Sequence, residues 1–81
     1  MDRAEVTEKV LDILEDVCGD EAVREERDID LFDAGLLDSM GAMEVLVEIE
    51  NVFGLEIAPT EIAREDMNTV NLIIERIAER L

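Results

Sequence analysis

The sequence predicts an all-α fold, a small four-helix bundle with a long loop between its first two helices and a short third helix. Two observations predict it: apolar residues recur at helical spacing in several segments, and no segments show credible strand pairing. The length of 81 residues suits one small domain and leaves no room for a cleft between domains. We therefore expect residues 1–81 to form a single binding or carrier domain, not an enzyme.

The first helix is predicted over residues 3–18, and Gly19 is suited to end it in the left-handed conformation. Its apolar face comprises Val6, Val10, Ile13, Leu14 and Val17. Cys18 is the only cysteine, so no intrachain disulfide can form and a reducing compartment is expected. We expect Cys18 to lie at the edge of the core.

Residues 19–38 are predicted to form an ordered loop that packs over the bundle and leads to Ser39. Five apolar residues are available to anchor it: Ile29, Leu31, Phe32, Leu36 and Leu37. The acidic residues of the loop do not fit a calcium-binding EF-hand. In a register that starts at Asp28, Asp33 falls where glycine is required and Ser39 falls where glutamate belongs. Only weak, nonspecific binding of divalent cations is compatible with this pattern.

The remaining helices are predicted from apolar periodicity and end signals in the same way. The second is predicted over residues 39–53, ending at Gly54, and the last over residues 69–81 with Asn68 or Thr69 as its N-cap. The second helix is expected to bury Ala42, Val45, Leu46, Ile49, Val52 and Phe53. The last is expected to bury Val70, Ile73, Ile74, Ile77 and Ala78. The short third helix is predicted to start near Pro59, because proline is favoured in the first turn of a helix.

Ser39 is the most informative residue, because it stands at the start of the second helix. Unpaired N–H groups and the positive end of the helix dipole favour a bound or attached phosphate there. The chain has no histidine that could act as a base and no Gly-x-Ser-x-Gly motif, so Ser39 is not a nucleophile in catalysis by this chain. We interpret Ser39 as a site of modification.

The second helix has a further apolar side. Met40, Met43 and Val47 lie opposite its buried face, flanked by Glu44 and Glu48. These five residues, called the docking face below, are predicted to bind a partner; the alternative is that Met43 and Val47 pack under the loop or another helix. Leu72 also lies off the buried face of its helix and either extends such a surface or is an isolated exposed leucine.

The chain is strongly acidic: 23 Asp and Glu residues against 7 Lys and Arg residues give a formal net charge of −16. This charge excludes nucleic acid and anionic membrane surfaces as natural partners. Basic protein surfaces are the expected partners, although the charge would also serve solubility. No stretch approaches the roughly 20 apolar residues that a membrane span needs, so we expect no membrane insertion and a cytoplasmic monomer.

These motifs resemble the acyl carrier protein superfamily, whose serine receives a phosphopantetheine arm from coenzyme A. The resemblance rests on Asp38-Ser39 at the start of an acidic amphipathic helix, and it covers nearly the entire chain. The stretch Leu36-Leu37-Asp38-Ser39-Met40-Gly41 looks most like the D-alanyl carrier proteins, also described as the second subunit of D-alanine–poly(phosphoribitol) ligase. Met67 and Val70 depart from that family, where an aromatic residue and a proline are common.

The resemblance implies that Ser39 carries the phosphopantetheine arm. It implies that Asp38 is recognised by the phosphopantetheinyl transferase, with capping of the helix as the structural alternative. A D-alanine-adenylating ligase would load D-alanine onto the arm as a thioester, and membrane-associated D-alanyl transfer machinery would use it to esterify teichoic acids. The chain itself would catalyse nothing, and the docking face would contact these enzymes.

Two other interpretations remain open from the sequence. The chain could carry an acyl or aminoacyl group in another biosynthetic pathway, since such carriers share the arm and differ in the loading enzyme. It could also be an unmodified acidic helical interaction module or a calcium-responsive protein, in which Ser39 is merely a helix cap.

Overall fold

A computed structural model describes all 81 residues, which form four α-helices and one 3₁₀ helix. The helices are α1 (Arg3–Cys18), α2 (Ala22–Glu25), α3 (Ser39–Phe53), the 3₁₀ helix (Arg64–Asp66) and α4 (Val70–Arg80). The all-α prediction is confirmed, and α1, α3 and α4 occupy the three long segments that apolar periodicity predicted.

Side-chain caps and glycines fix the ends of the long helices. The N-cap residues of α1, α3 and α4 are Asp2, Asp38 and Thr69, and each side chain accepts a hydrogen bond from an N–H of the first turn. At the other ends, Gly19 and Gly54 have φ values of 68° and 71°, in the left-handed region that residues with a side chain rarely adopt. The predicted ends of α1 and α3 are therefore confirmed.

One hydrophobic core joins the helices, and no charged or polar residue is buried in it. Helix α1 packs against both α3 and α4, and α2 packs on α1. The buried residues of the three long helices are Val6, Val10, Leu11, Ile13, Leu14, Val45, Leu46, Ile49, Val70, Ile73, Ile74 and Ile77. Cys18 packs half-buried at the edge of this core, as predicted.

Several residues predicted to be buried are more exposed than expected. Val52 is 38% exposed, because it lines an open surface groove with Lys9 and Asp12 of α1 instead of entering the core. The others are half-buried: Val17, Ala42, Phe53 and Ala78. Leu72 is also half-buried. Of the two alternatives given for this residue, an isolated exposed leucine is therefore the less favoured.

The short third helix was predicted at the wrong place. Pro59 lies in a turn in which the Glu61 N–H donates to the Ala58 carbonyl at 2.9 Å. Proline is favoured at the second position of such a turn, so its fixed φ serves the turn instead of a helix start. The regular element follows later, as the 3₁₀ helix Arg64–Asp66.

The first connection contains the short helix α2, which the sequence analysis did not predict. Val23 of α2 is completely buried, and Arg24 forms ion pairs with three carboxylates of α1: Glu8, Asp12 and Glu15. Hydrogen bonds to Glu15 and Asp12 raise the pKa of the Arg24 guanidinium. A four-residue helix is too short to show apolar periodicity, which explains why it was missed.

The rest of this connection is anchored to the start of α4. Leu31 is fully buried; its N–H donates to the Asn68 carbonyl at 2.7 Å, and its own carbonyl accepts from the N–H groups of Leu36 and Leu37. The Asp30 carboxylate accepts hydrogen bonds from the N–H of Phe32 and from the side-chain amide of Asn68. The prediction of an ordered loop that packs on the bundle is confirmed.

A second pair of contacts lies beside the first. The Asn71 N–H donates to the Arg27 carbonyl at 3.1 Å, and the Asn71 side-chain amide donates to Asp28 Oδ1 at 2.6 Å. Leu37, immediately before the cap of α3, is 5% exposed. The chain therefore enters α3 from a fixed position.

Leu31→Ala tests the anchor. The substitution removes a fully buried side chain and should lower the free energy of unfolding by about 2–5 kcal/mol. Urea denaturation followed by circular dichroism measures this change. Leu81→Ala is the matched control, because Leu81 is 54% exposed, and its effect should stay within about 0.5 kcal/mol. Equal effects of the two substitutions would contradict the anchoring role of Leu31.

Candidate functional site

The first turn of α3 presents Ser39 at the surface. Ser39 is the only serine of the chain, it is exposed, and it is the first residue of the helix. The preceding residue, Asp38, has extended backbone angles (φ −125°, ψ −176°), and its Oδ1 accepts the Gly41 N–H at 2.7 Å. Asp38 thus caps the helix and orients the turn that carries the hydroxyl.

The start of α3 retains unused hydrogen-bond donors. The N–H groups of Ser39 and Met40 donate to no acceptor within the protein, whereas those of Gly41 and Ala42 are taken by Asp38. Such N–H groups, together with the helix dipole, favour an anion at this end of the helix. A phosphate on the Ser39 Oγ would therefore be stabilised where it is attached.

Gly41 allows the first turn of α3 to approach its neighbours closely. An added Cβ would lie 3.0 Å from Leu37 Cδ1, 3.3 Å from Asp38 Oδ1 and 3.6 Å from Val17 Cγ1. A larger residue would push on the side chain that anchors the loop and on the carboxylate that caps the helix. The preference for glycine at position 41 is therefore steric. Its φ is not in the left-handed range, so the backbone conformation alone does not require glycine.

An apolar groove opens beside Ser39. It has a volume of about 190 Å³, and we call it the Arg64 groove. Its lining residues are Phe32, Ser39, Ala42, Met43, Leu46, Pro59, Ile62, Arg64 and Met67. No carboxylate is among them. The guanidinium carbon of Arg64 lies 4.1 Å from the centroid of the Phe32 ring, the geometry of a cation–π contact.

The docking face predicted on α3 is at the surface. Met40, Met43 and Val47 are 77%, 49% and 54% exposed, so they do not pack under the loop or another helix. Glu44 is exposed and Glu48 is half-buried. Large apolar side chains exposed together on one helix are typical of a surface that binds a partner.

A second groove extends the docking face onto α1. It has a volume of about 280 Å³ and is called the acidic groove below. Its lining residues are Asp16, Val17, Met43, Glu44, Val47 and Glu48. Sequence analysis missed the contributions of Asp16 and Val17, because the pattern within one helix does not show which residues of another helix lie beside it. Met43 lines both grooves.

Neither a histidine nor a cluster of metal-ligating side chains lies beside Ser39. The chain has no histidine, and no group of three or more Cys, Asp and Glu side chains is arranged to hold a metal ion. The one thiol, that of Cys18, has a raised pKa, because it is desolvated by burial and lies near the negative charge of Asp20. A thiol of this kind is a poor nucleophile at neutral pH. None of the helices combines the length and the hydrophobicity that a membrane span requires.

Comparisons with known proteins agree with this geometry. The family described as "Phosphopantetheine attachment site" matches residues 8–77. A D-alanyl carrier protein of Bacillus velezensis is 47% identical over 75 residues, which cover 93% of this chain and 96% of that protein. The chain belongs to the D-alanyl carrier protein family. Relatives from Abiotrophia defectiva and Lactococcus lactis are 47% and 45% identical and cover 91% and 90% of the chain.

Membership in this family confirms the resemblance that the motif around Ser39 indicated. It makes the chain a carrier protein with phosphopantetheine as its covalent cofactor, in a family that is generally non-catalytic. The exposed hydroxyl, the two unused N–H groups and the adjacent groove without carboxylates fit such a group at Ser39.

The two departures from the family pattern are both accommodated in the core. Met67 is 5% exposed and also lines the Arg64 groove, while Val70 is completely buried in the first turn of α4. Methionine is flexible enough to fill an irregular space in the core. Val70 supplies a buried apolar side chain at the first position of α4, where proline is also favoured.

Asp38→Ala tests the cap. The substitution removes the acceptor of the Gly41 N–H and should lower the free energy of unfolding by about 0.5–2 kcal/mol. Asp38→Asn keeps an oxygen acceptor and should keep most of the stability, because asparagine is as good an N-cap as aspartate. Thermal and urea denaturation of the two variants measure the difference. A fully stable Asp38→Ala variant would show that the hydrogen bond does not support the helix.

Proposed function

We propose that Ser39 is the attachment site of the phosphopantetheine arm and that the arm holds D-alanine as a thioester for teichoic acid D-alanylation. The supporting observation is the exposed Ser39 hydroxyl at the start of a helix whose first two N–H groups have no acceptor. In the attachment step, Ser39 Oγ would form a new phosphodiester with the phosphopantetheine part of coenzyme A, and the adenosine bisphosphate part would leave. When attached, the arm supplies the thiol on which cargo is carried.

The residues of the chain would hold the arm and present it to partners. The N–H groups of Ser39 and Met40 would donate to phosphate oxygens, and the cap formed by Asp38 would keep that turn of α3 in place. The Cys18 thiol is half-buried against the edge of the core, so it would be less accessible to a loading enzyme than a thiol at the end of the arm. The chain would thus position and deliver the cargo without reacting with it.

The partners in this proposal are a phosphopantetheinyl transferase, a separate D-alanine-adenylating ligase and the membrane-associated D-alanyl transfer machinery. We assign contact with them to the docking face: Met40, Met43, Glu44, Val47 and Glu48. Its exposed apolar side chains and their carboxylate neighbours suit enzymes with a basic rim around an apolar centre. The unpaired Cys18 agrees with the reducing environment of the cytoplasm, where we place the chain as a monomer.

Attachment is tested by intact-mass measurement after incubation with coenzyme A and a broad-specificity phosphopantetheinyl transferase. The expected result is a gain of one phosphopantetheine in the wild-type chain and none in Ser39→Ala. Thr60→Ala, which removes an exposed hydroxyl from a turn, is the control and should be modified like the wild type. No mass gain, or a gain that persists in Ser39→Ala, would leave only the interpretation as an unmodified interaction module.

The role of Asp38 in transferase recognition is tested by comparing Asp38→Asn with the wild type. Asparagine can replace aspartate as the helix cap but carries no charge. If the transferase recognises the negative charge of Asp38, modification of Asp38→Asn should be at least about tenfold slower. This corresponds to about 1.4 kcal/mol of transition-state binding. The stability of the variant should be nearly unchanged. Equal rates for Asp38→Asn and wild type would restrict Asp38 to the cap.

The docking face is tested with Glu44→Lys in the holo protein. Reversal of this exposed charge should lower kcat/KM for D-alanine loading by about tenfold, because it places like charges against the basic rim expected on the ligase. Stability should change by no more than about 0.5 kcal/mol. Glu56→Lys makes the same change of net charge at an exposed residue outside both grooves. Equal loading of the two variants would remove Glu44 from the docking face.

A further inference from the structure

The surface beside Ser39 differs in charge from the surrounding surface. Three grooves larger than the Arg64 groove are each lined by carboxylates, in agreement with the net charge of −16. The Arg64 groove contains no carboxylate, and its one charged residue is positive. An anion would therefore meet less repulsion in this groove than in the other three.

Arg64 differs from the ion-paired arginines of the chain. Arg3 pairs with a glutamate of α4, Arg24 pairs with three carboxylates of α1, and Arg76 pairs with Asp66 and a second carboxylate. Arg64 forms no ion pair; Lys9, Arg27 and Arg80 are also without one, but none of these three lines the Arg64 groove. The positive charge of Arg64 is therefore available to an anion that the protein itself does not supply.

The contact with Phe32 leaves the hydrogen-bonding groups of Arg64 available. The guanidinium carbon lies over the Phe32 ring, and the Arg64 side chain donates no hydrogen bond within the protein, unlike the side chains of Arg27 and Arg80. Phosphate oxygens match two such N–H groups at once. Phe32 belongs to the loop anchored by Leu31, so the position of the guanidinium depends on the same loop that leads to Ser39.

We propose that Arg64 is a positioning residue that pairs with the phosphodiester at Ser39 and holds the first part of the arm along the Arg64 groove. This inference rests on the proposed attachment at Ser39. Both residues line the same groove, and the phosphodiester would place one negative charge at its edge. The apolar lining residues Met43, Pro59 and Ile62 then cover one side of the arm, and the thiol end stays accessible to partner enzymes.

The test is ³¹P NMR of the holo protein, which observes the single phosphodiester directly and needs no partner enzyme. In the wild type, about 1 M NaCl shortens the Debye length to about 3 Å and should shift the ³¹P resonance by weakening the pair. In Arg64→Gln, the resonance should already lie near the high-salt position and move little. Arg80→Gln is the matched control: it makes the same change of net charge at an exposed residue that lines none of these grooves, and it should behave like the wild type.

The outcomes separate this inference from the proposed function. If holo Arg64→Gln has the chemical shift and salt response of the wild type, Arg64 does not hold the phosphodiester, while the attachment itself stands. If Arg64→Gln changes only the rate of loading by the ligase, Arg64 contacts the partner and the inference is wrong. If the wild-type chain shows no phosphodiester resonance after transferase treatment, the proposed attachment fails first.

Discussion

The anchoring of the loop at Leu31 is the constraint on which the site depends. One buried side chain, one backbone hydrogen bond to Asn68 and the Asp30 carboxylate attach the loop to the start of α4. A connection of this length loses considerable conformational entropy when it is ordered, so it needs such contacts to hold a single path. With the loop fixed, the chain enters α3 in one orientation, and Ser39, Phe32 and Arg64 come to the edge of one groove.

The two grooves beside Met43 give the start of α3 two chemically different sides. On one side, the Arg64 groove is apolar with one positive charge; on the other, the acidic groove is rimmed by Asp16, Glu44 and Glu48. In the proposed function, the chain holds its arm and is also released by successive enzymes. An arm in the Arg64 groove and partners on the acidic groove would let both occur at once, with Met43 at the boundary between the two grooves. Exposed charges favour fast encounter and modest affinity, which suits repeated exchange.

Much of this arrangement could be predicted from local sequence, and the rest depends on contacts between distant residues. The three long helices follow from apolar periodicity, and Asp38 and Gly54 mark the ends of α3 by capping chemistry that acts within one turn. Ser39 stands out because its hydroxyl and its place at the start of a helix follow from the local sequence, and because the composition contains no histidine that could act as its base.

Helix α2 depends on burial of Val23 and on ion pairs with α1, which no pattern within four residues reveals. Pro59 supports either a helix start or a turn, and tertiary packing selects the turn. The Arg64 groove joins residues from three separate parts of the chain, so only the folded structure brings it together.

If this chain carries D-alanine through an arm on Ser39, a D-alanine-adenylating ligase should load the holo protein. The holo chain would be incubated with a D-alanine-adenylating ligase, ATP and D-alanine, and its intact mass measured before and after treatment with hydroxylamine, which cleaves thioesters. We expect a gain of one alanyl group that hydroxylamine removes and that is absent from the apo protein and from Ser39→Ala. A holo chain that takes no D-alanine under conditions where the ligase loads one of its known carriers would not be a D-alanine carrier.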